Sequence, residues 1–237
     1  MTRIFAVSVL AAVVALTGCT TDDQGAGAST AAPTSVAEAT SAPQTTPAAQ
    51  TTSTSGQSDE SLADMLTKVT INGKPLEPFP VATVRKANTA SLPAVVPQSC
   101  GFAATGLLSP ILEGRPAAMA LTDARINVTM VDMGTPAGAS ELVAQRDHVL
   151  DSPECRTLTV NSQGQPVTAA ISEKKVGRTG LEDARVLIST STVDGRTISS
   201  ATLLGRKGSV LVLVSNAISP DVTPIEQVAG HLANELP

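Results

Sequence analysis

The sequence predicts an α+β fold, in which helices pack on an antiparallel sheet of about five or six strands, preceded by a disordered tether. Two turn signals carry this prediction. Asp194-Gly195 suits a two-residue hairpin turn with positive φ at both positions, and a second hairpin is expected at Gly205 to Gly208. Strands joined by such short links must be antiparallel neighbours. Amphipathic helical patterns lie before and after these strands, which places helices on the sheet.

Several segments have the patterns that are typical of strands. Ile126, Val128 and Met130 alternate along the first, and Val210 to Val214 is apolar throughout, which predicts a central position in the sheet. The predicted strands are 125–133, 156–160, 166–176, the two arms that flank Asp194-Gly195, and 210–214.

Three helices have recognisable start signals. Ser61 is the predicted cap of a short opening helix, and Thr135-Pro136 begins a second helix that Pro153 ends. Thr223 to Glu226 reads as a capping box at the start of a terminal helix. Between the first helix and the first strand, the proline-punctuated run 75–97 is predicted to be irregular. The segment 101–112 is predicted to hold a short helix that Pro110 interrupts.

The amino terminus has the plan of a secretory signal peptide. Arg3 precedes an apolar run from Ile4 to Leu16, which is too short for a mature transmembrane helix. Leu16-Thr17-Gly18-Cys19 resembles a bacterial lipobox, in which the cysteine is acylated and becomes the first mature residue. Lipidation of Cys19 would hold the protein on a membrane outside the cytoplasm.

A polar tether is predicted after Cys19. Residues 20–58 are mostly Thr, Ser, Ala, Pro, Gln and Gly, a composition that cannot bury enough apolar surface to offset its ordering entropy. O-glycosylation of its Thr/Ser clusters is an open alternative to a plain tether. The chain is therefore divided into a signal peptide (1–18), a lipidated cysteine and tether (19–58), and one globular α+β domain (59–237).

The remaining two cysteines are predicted to form a disulfide. Once Cys19 carries lipid, Cys100 and Cys155 are left as a pair in an oxidising compartment. The alternative is that one of them is a reactive thiol with a histidine partner.

Composition argues against several classes of function. The chain has no Trp, no Tyr and three Phe, whereas sites for sugars and single-stranded nucleic acids commonly stack their ligands on aromatic rings. The net charge of −5 and the lack of a Lys/Arg run argue against a nucleic-acid partner. His148 and His231 are both interpreted as solvated helix residues. No nucleophile elbow, metal-ligand spacing or phosphate loop is found, so no enzyme activity, catalytic residue, metal or cofactor is predicted.

One apolar region is a candidate ligand site. The proline-rich run 75–97 either covers the sheet or lines a cleft for an acyl chain, with residues 102–112 as the opposite wall. The candidate ligand-binding residues are Phe79, Phe102, Leu108 and Ile111.

Three stretches carry a resemblance to a known family: Val96 to Cys100; the pair 139–143 and 153–160; and the pair 206–212 and 221–237. Together they resemble the extracellular sensor domain of mycobacterial receptor serine/threonine kinases and of related actinobacterial lipoproteins. The resemblance implies an α+β module with a cleft. The favoured function is a non-enzymatic binding or sensor-like module of the cell envelope, whose partners are the membrane and an unknown ligand, protein or lipid. The alternative is a carrier of a lipid or glycolipid in an apolar cleft.

Overall fold

The structure, a computed structural model, describes most of the chain from residue 56 onwards. The signal peptide, Cys19 and the predicted tether up to Ser55 lie outside the described residues, as do Leu92 and Asp194. The described ranges are 56–71, 73–87, 93–122, 125–162, 165–193 and 195–237.

The predicted α+β class with an antiparallel sheet is confirmed. The described helices are α1 (Asp59–Lys68), α2 (Val81–Ala87), α3 (Phe102–Thr105), α4 (Leu108–Leu112), α5 (Pro136–Asp151) and α6 (Thr223–Glu235). The described strands are β1 (Thr70–Ile71), β2 (Lys74–Pro75), β3 (Pro78–Phe79), β4 (Val95–Val96), β5 (Ala117–Leu121), β6 (Ile126–Asp132), β7 (Thr157–Ser162), β8 (Gln165–Lys174), β9 (Glu182–Val193), β10 (Arg196–Lys207) and β11 (Val210–Asn216).

The main sheet is larger than the predicted five or six strands. Within the described residues it has nine strands in the order β3-β5-β6-β11-β10-β9-β8-β7-β4, while β1 and β2 form a separate two-stranded sheet. The sequence did not reveal β3 and β4 because each has two residues. It did not reveal β5 because Ala117 to Leu121 lacks β-branched residues, and burial of both of its faces removes the polar alternation.

Helices cover both faces of the sheet. On the first face, α1 and α6 pack on alternate residues of the central strands, including Val128, Val212 and Leu203. On the second face, two separate apolar clusters form under the other helices. One contains residues of α2, α4 and α5 over β5, β6 and β11, and the other contains residues of α3 and α5 over β7, β8 and β9. Every residue of β6 and β11 is buried, which confirms the predicted central position of 210–214.

The proline-rich run is not wholly irregular, because it contains α2. Val81 and Val84 lie one turn apart and are buried in the cluster over β5, which explains why this short helix is stable there. In the next segment the helical break falls at Gly106, whose φ is +50°, and not at Pro110. Pro110 occupies the first turn of α4, where its missing N–H leaves no helical bond unmade.

Both predicted caps at the ends of the domain are displaced. The N-cap of α1 is Ser58, whose side chain accepts from the Ser61 N–H, while the Ser61 side chain accepts in return from the Ser58 N–H. The box predicted at 223–226 does not form, since Thr223 is already helical. Asp221 accepts from the Thr223 N–H, and Glu226 accepts instead from the distant Gly177 N–H at 2.9 Å.

The second hairpin turn lies three residues later than predicted. Strand β10 continues through Gly205 to Lys207, which pairs with Val210, so the turn is Gly208-Ser209. Gly205 is required by packing: a Cβ there would lie 2.9 Å from the Leu181 Cβ. The two-residue connection at the first hairpin is confirmed by the pairing of Arg196 with Val193.

Helix α5 begins as predicted, because the Thr135 side chain accepts from the Gly138 N–H and Pro136 is the first helical residue. Its packing face contains one residue that the sequence did not mark, Arg146, which is 2% exposed. The guanidinium donates to the backbone carbonyls of Asp183 and Leu204, both at 2.5 Å. It also pairs with Asp147 at 2.7 Å. Burial lowers the pKa of Arg146, and the hydrogen bond to Asp147 opposes that effect.

The structure contains the predicted disulfide between Cys100 and Cys155, whose Cα atoms are 5.6 Å apart. Both cysteines are fully buried and link the turn before α3 to the turn before β7. A bridge between residues this far apart in sequence stabilises the fold by about 4 kcal/mol in the chain-entropy model.

Replacing Arg146 by Met should lower the free energy of unfolding by about 3 kcal/mol, because two buried carbonyls would lose their donor. The measurement is urea unfolding followed by circular dichroism. Arg156→Met is the matched control, since Arg156 is exposed and should change stability by less than about 0.5 kcal/mol. Equal losses in the two variants would contradict this account of Arg146.

Candidate functional site

A group of polar side chains lies on the second face of the sheet, at the end where β6 begins and β11 ends. All belong to the four adjacent strands β6, β11, β10 and β9, and all point to the helix-covered side that carries the two apolar clusters. This polar patch consists of Asn127, Thr129, Ser189, Ser191, Ser200, Thr202 and Ser215.

The strand register makes the patch continuous. Ser215 lies between its paired neighbours Asn127 on β6 and Thr202 on β10. Ser200 pairs with Ser189 on β9. Since paired residues of antiparallel strands point to the same face with Cβ atoms about 5 Å apart, the side chains form one surface.

The patch is largely buried, and one of its hydroxyls is enclosed without a hydrogen-bond partner. Its residues are between 1% and 9% exposed. No side-chain hydrogen bond links any of them to another of the described residues, and the Ser215 Oγ is fully enclosed without a partner. Buried polar groups nearly always have a hydrogen-bond partner, and leaving one without costs about 1–3 kcal/mol. Among the described residues only the Ser215 Oγ has this cost, and it lies within a continuous, largely buried polar surface that a ligand from outside the chain could pair with.

The chemistry of the patch is neutral. It offers six hydroxyls, each of which can donate and accept, and one carboxamide with both functions. It contains no carboxylate, imidazole, amine or thiol, so its own side chains supply no general acid, general base or soft metal ligand. The patch is therefore suited to binding.

Apolar side chains border the patch on both sides. Leu213 pairs with Thr129 and belongs to one apolar cluster, while Leu187 pairs with Thr202 and belongs to the other. Gly106, between α3 and α4, lies directly over Leu213, since a Cβ on it would be 3.4 Å from the Leu213 Cδ1. The α3–α4 connection therefore lies above one border of the patch.

The four candidate ligand residues from the sequence lie in the helical layer and at the sheet edge. Ile111 is 1% exposed and packs with Leu108 and Phe79 in the cluster over β5 and β11. Phe102 is half-buried, contacts both clusters of the second face, and lines an open cleft of about 530 Å³ between α3 and α5.

The two histidines lie on exposed helix positions. His148 contacts the Ser152 Oγ through Nδ1 at 3.1 Å, and its Nε2 is 3.9 Å from Glu154. His231 lines an open, polar cleft of about 510 Å³ beside α6, together with Arg178 and Gln227. Neither histidine lies on the strands that form the polar patch.

Within the part of the chain that the structure describes, one group of potential metal ligands comes together, namely Cys100, Glu154 and Cys155. The disulfide consumes both sulfurs, so the group supplies no thiolate. Among the described residues, no helix is long and apolar enough to cross a membrane.

Sequence reasoning missed the polar patch for a specific reason. Ser and Thr on alternate positions of β9 and β10 read as the solvent-facing side of an ordinary antiparallel strand. The only local sign was the run of polar residues Ser189 to Thr192, which continues on both sides of the strand.

Comparison with known proteins gives a likeness in structure but none in sequence. No protein-family model matches the chain, and no curated protein matches it in sequence. Among solved structures, the chain is similar to the extracellular domain of PknH from Mycobacterium tuberculosis. The likeness has 12% sequence identity and a TM-score of 0.49, and it covers 76% of this chain and 96% of that one.

Removing hydroxyls from the patch should leave the ligand-free protein as stable or make it more stable by about 1 kcal/mol, because no side-chain hydrogen bond to the described residues is lost and the Ser215 hydroxyl is both buried and unpaired. The variants are Ser215→Ala and Thr202→Val, measured by urea unfolding after the protein has been refolded without ligand. Thr190→Val is the control on the opposite face of β9, where Thr190 and Ser199 share a hydrogen bond of 3.0 Å. It should lose about 1 kcal/mol. Losses of that size in the patch variants would show that the hydroxyls have structural partners.

Proposed function

We propose that the protein is a non-enzymatic binding module of the cell envelope, held on the outer side of a membrane by lipid on Cys19, and that the polar patch is its ligand site. The observation that carries the proposal is the fully buried Ser215 hydroxyl, which has no hydrogen-bond partner among the described residues and lies in a continuous surface of largely buried, uncharged polar side chains. A ligand that pairs with Ser215 and its neighbours would recover the desolvation cost of the unpaired hydroxyl.

Two observations support an extracytoplasmic location. The Cys100–Cys155 disulfide is typical of an oxidising compartment. The amino-terminal sequence has the order of a signal peptide that ends in a lipobox-like cysteine. The polar residues between Cys19 and the first helix would then separate the binding domain from the membrane surface.

A binding role also agrees with the distribution of charge. Arg185, on the same strand as Ser189 and Ser191, is already neutralised, since it pairs with Asp147, Asp151 and Glu173 at 2.8–3.0 Å. Hydrogen bonds to Glu173 and then Asp151 raise the pKa of Arg185 above its usual value. An arginine in such a network holds elements together and is not available as an electrophilic group for a reaction.

The ligand-site proposal predicts a bound molecule in protein isolated from its native host. Native mass spectrometry should show a non-covalent mass on the wild-type chain, and the Thr202→Val/Ser215→Ala double variant should lose it because two patch hydroxyls are gone. Thr190→Val should retain it. Wild-type protein without added mass in repeated preparations, or equal retention by the double variant, would refute the assignment of the site.

The anchor is tested separately. Replacing Cys19 by Ser should move the protein from the membrane fraction to the soluble extracytoplasmic fraction, because the only proposed acylation site is removed. Immunoblotting of the two fractions measures this, with Cys100→Ser/Cys155→Ser as a control that keeps Cys19. A Cys19→Ser chain that stays in the membrane fraction would contradict the lipid anchor.

A further inference from the structure

The chemistry of the polar patch limits the class of ligand that it can bind. The inference about this class rests on the proposed function. We infer that the patch binds the uncharged, hydroxyl-rich headgroup of an amphiphile, such as a glycosylated lipid, and that the headgroup enters first while the apolar chain stays at the mouth of the site.

A charged headgroup is disfavoured by what the patch lacks. A phosphate or carboxylate would be buried among hydroxyls and one carboxamide without a cation of the patch to compensate its charge. On the same face of the sheet, the guanidinium of Arg185 is occupied by three carboxylates, and that of Arg146 is shared among two backbone carbonyls and Asp147. A neutral ligand avoids this desolvation cost.

An acyl chain alone is disfavoured as the occupant of the patch. A hydrocarbon would leave the Ser215 hydroxyl unpaired, and it would exclude water from Thr202 and Asn127 without giving them hydrogen bonds. A polyol or sugar presents hydroxyls that donate and accept at spacings comparable to those of side chains on neighbouring strands. It can therefore pair with several of the seven residues at once.

The apolar part of the ligand has a place at the same end of the sheet. Leu121 is 46% exposed and pairs with Asn127, so it continues the row of the patch on the second face. Ile218 is 52% exposed and lies two residues beyond the end of β11, with its N–H directed to the Asn216 side chain. Two of the three large exposed hydrophobic residues among those described thus lie at the end of the sheet where the patch is found. The third, Val96, lies on the far edge strand β4.

These positions predict the orientation of the bound amphiphile. The site is polar inside and apolar at its rim, so the chain of the amphiphile would remain near the surface, where a membrane could still hold it. A carrier that hides an acyl chain in its core would show the reverse arrangement.

The inference is tested with four probes below their micellar concentrations: dodecyl maltoside, maltose, dodecylphosphocholine and dodecanoate. Binding to the Cys19→Ser chain is measured by isothermal titration calorimetry, since the protein has no Trp or Tyr to report binding by fluorescence. Dodecyl maltoside should bind, maltose should compete with it, and the two charged probes should bind at least about tenfold more weakly.

Two sets of variants separate the headgroup from the chain. Thr202→Val/Ser215→Ala should weaken both dodecyl maltoside and maltose about tenfold, because both probes lose the same hydrogen bonds. Leu121→Ser should weaken dodecyl maltoside about fivefold and leave maltose unchanged, since only the chain contacts Leu121. Val96→Ser is the matched control, an exposed valine at the opposite edge, and should change neither.

Each contrary result has a distinct meaning. Dodecanoate binding as tightly as dodecyl maltoside would overturn the headgroup inference and leave the proposed binding function standing. If no probe binds while the native chain still carries a mass that the double variant loses, the headgroup inference likewise fails and the proposed binding function stands. If no probe binds and the native chain carries no such mass, both the inference and the proposed function fail. Equal effects of Leu121→Ser on maltose and dodecyl maltoside would overturn the head-first orientation.

Discussion

Coverage of the sheet by helices on both faces is the constraint on which the rest of the structure depends. Strands β6 and β11 have strand neighbours on both sides and helical layers above and below, so none of their residues reaches solvent freely. The backbone groups of these strands are satisfied by the ladder. Each side chain, in contrast, must be apolar, find a polar partner, or remain unsatisfied at a cost. Most of the central positions take the first solution, with Val, Leu, Ala and Met on both faces.

On the second face of the sheet, Arg146 is a buried polar group with partners, and the polar patch contains a buried group without one. Arg146 is almost completely buried, but its guanidinium donates to two carbonyls and pairs with one carboxylate. These contacts join α5 to β10 and to Asp183 of β9. The patch has no such partners among the described residues. The second face of the sheet thus holds a buried charge with partners at one point and a polar surface with an unpaired buried hydroxyl at another. This contrast is why the patch is interpreted as a binding surface and Arg146 as a structural residue.

Much of the fold could be predicted from the sequence because its signals are local. The helix start at Thr135-Pro136, the hairpin between Val193 and Arg196, and the pairing of Cys100 with Cys155 depend on few residues or on counting. The errors arose where a distant contact outweighed a local preference. Glu226 accepts from Gly177 instead of closing a capping box. Strand β10 runs through Gly205 because Leu181 packs against it. Helix α2 is stable because Val81 and Val84 find a core.

By itself the sequence determined the class of fold, the first hairpin turn and the disulfide, since each follows from short-range pattern or composition, while the secretory plan of the amino terminus stays a prediction. The sequence could not determine whether the polar face of β9 and β10 is buried or exposed. A polar residue at alternate strand positions gives the same pattern in both cases. Only the tertiary structure showed that Ser200, Thr202 and Ser215 are buried, and that the Ser215 hydroxyl has no partner among the described residues. Burial makes this ordinary strand pattern a candidate site, because a hydroxyl without a hydrogen-bond partner costs free energy only when it is removed from water.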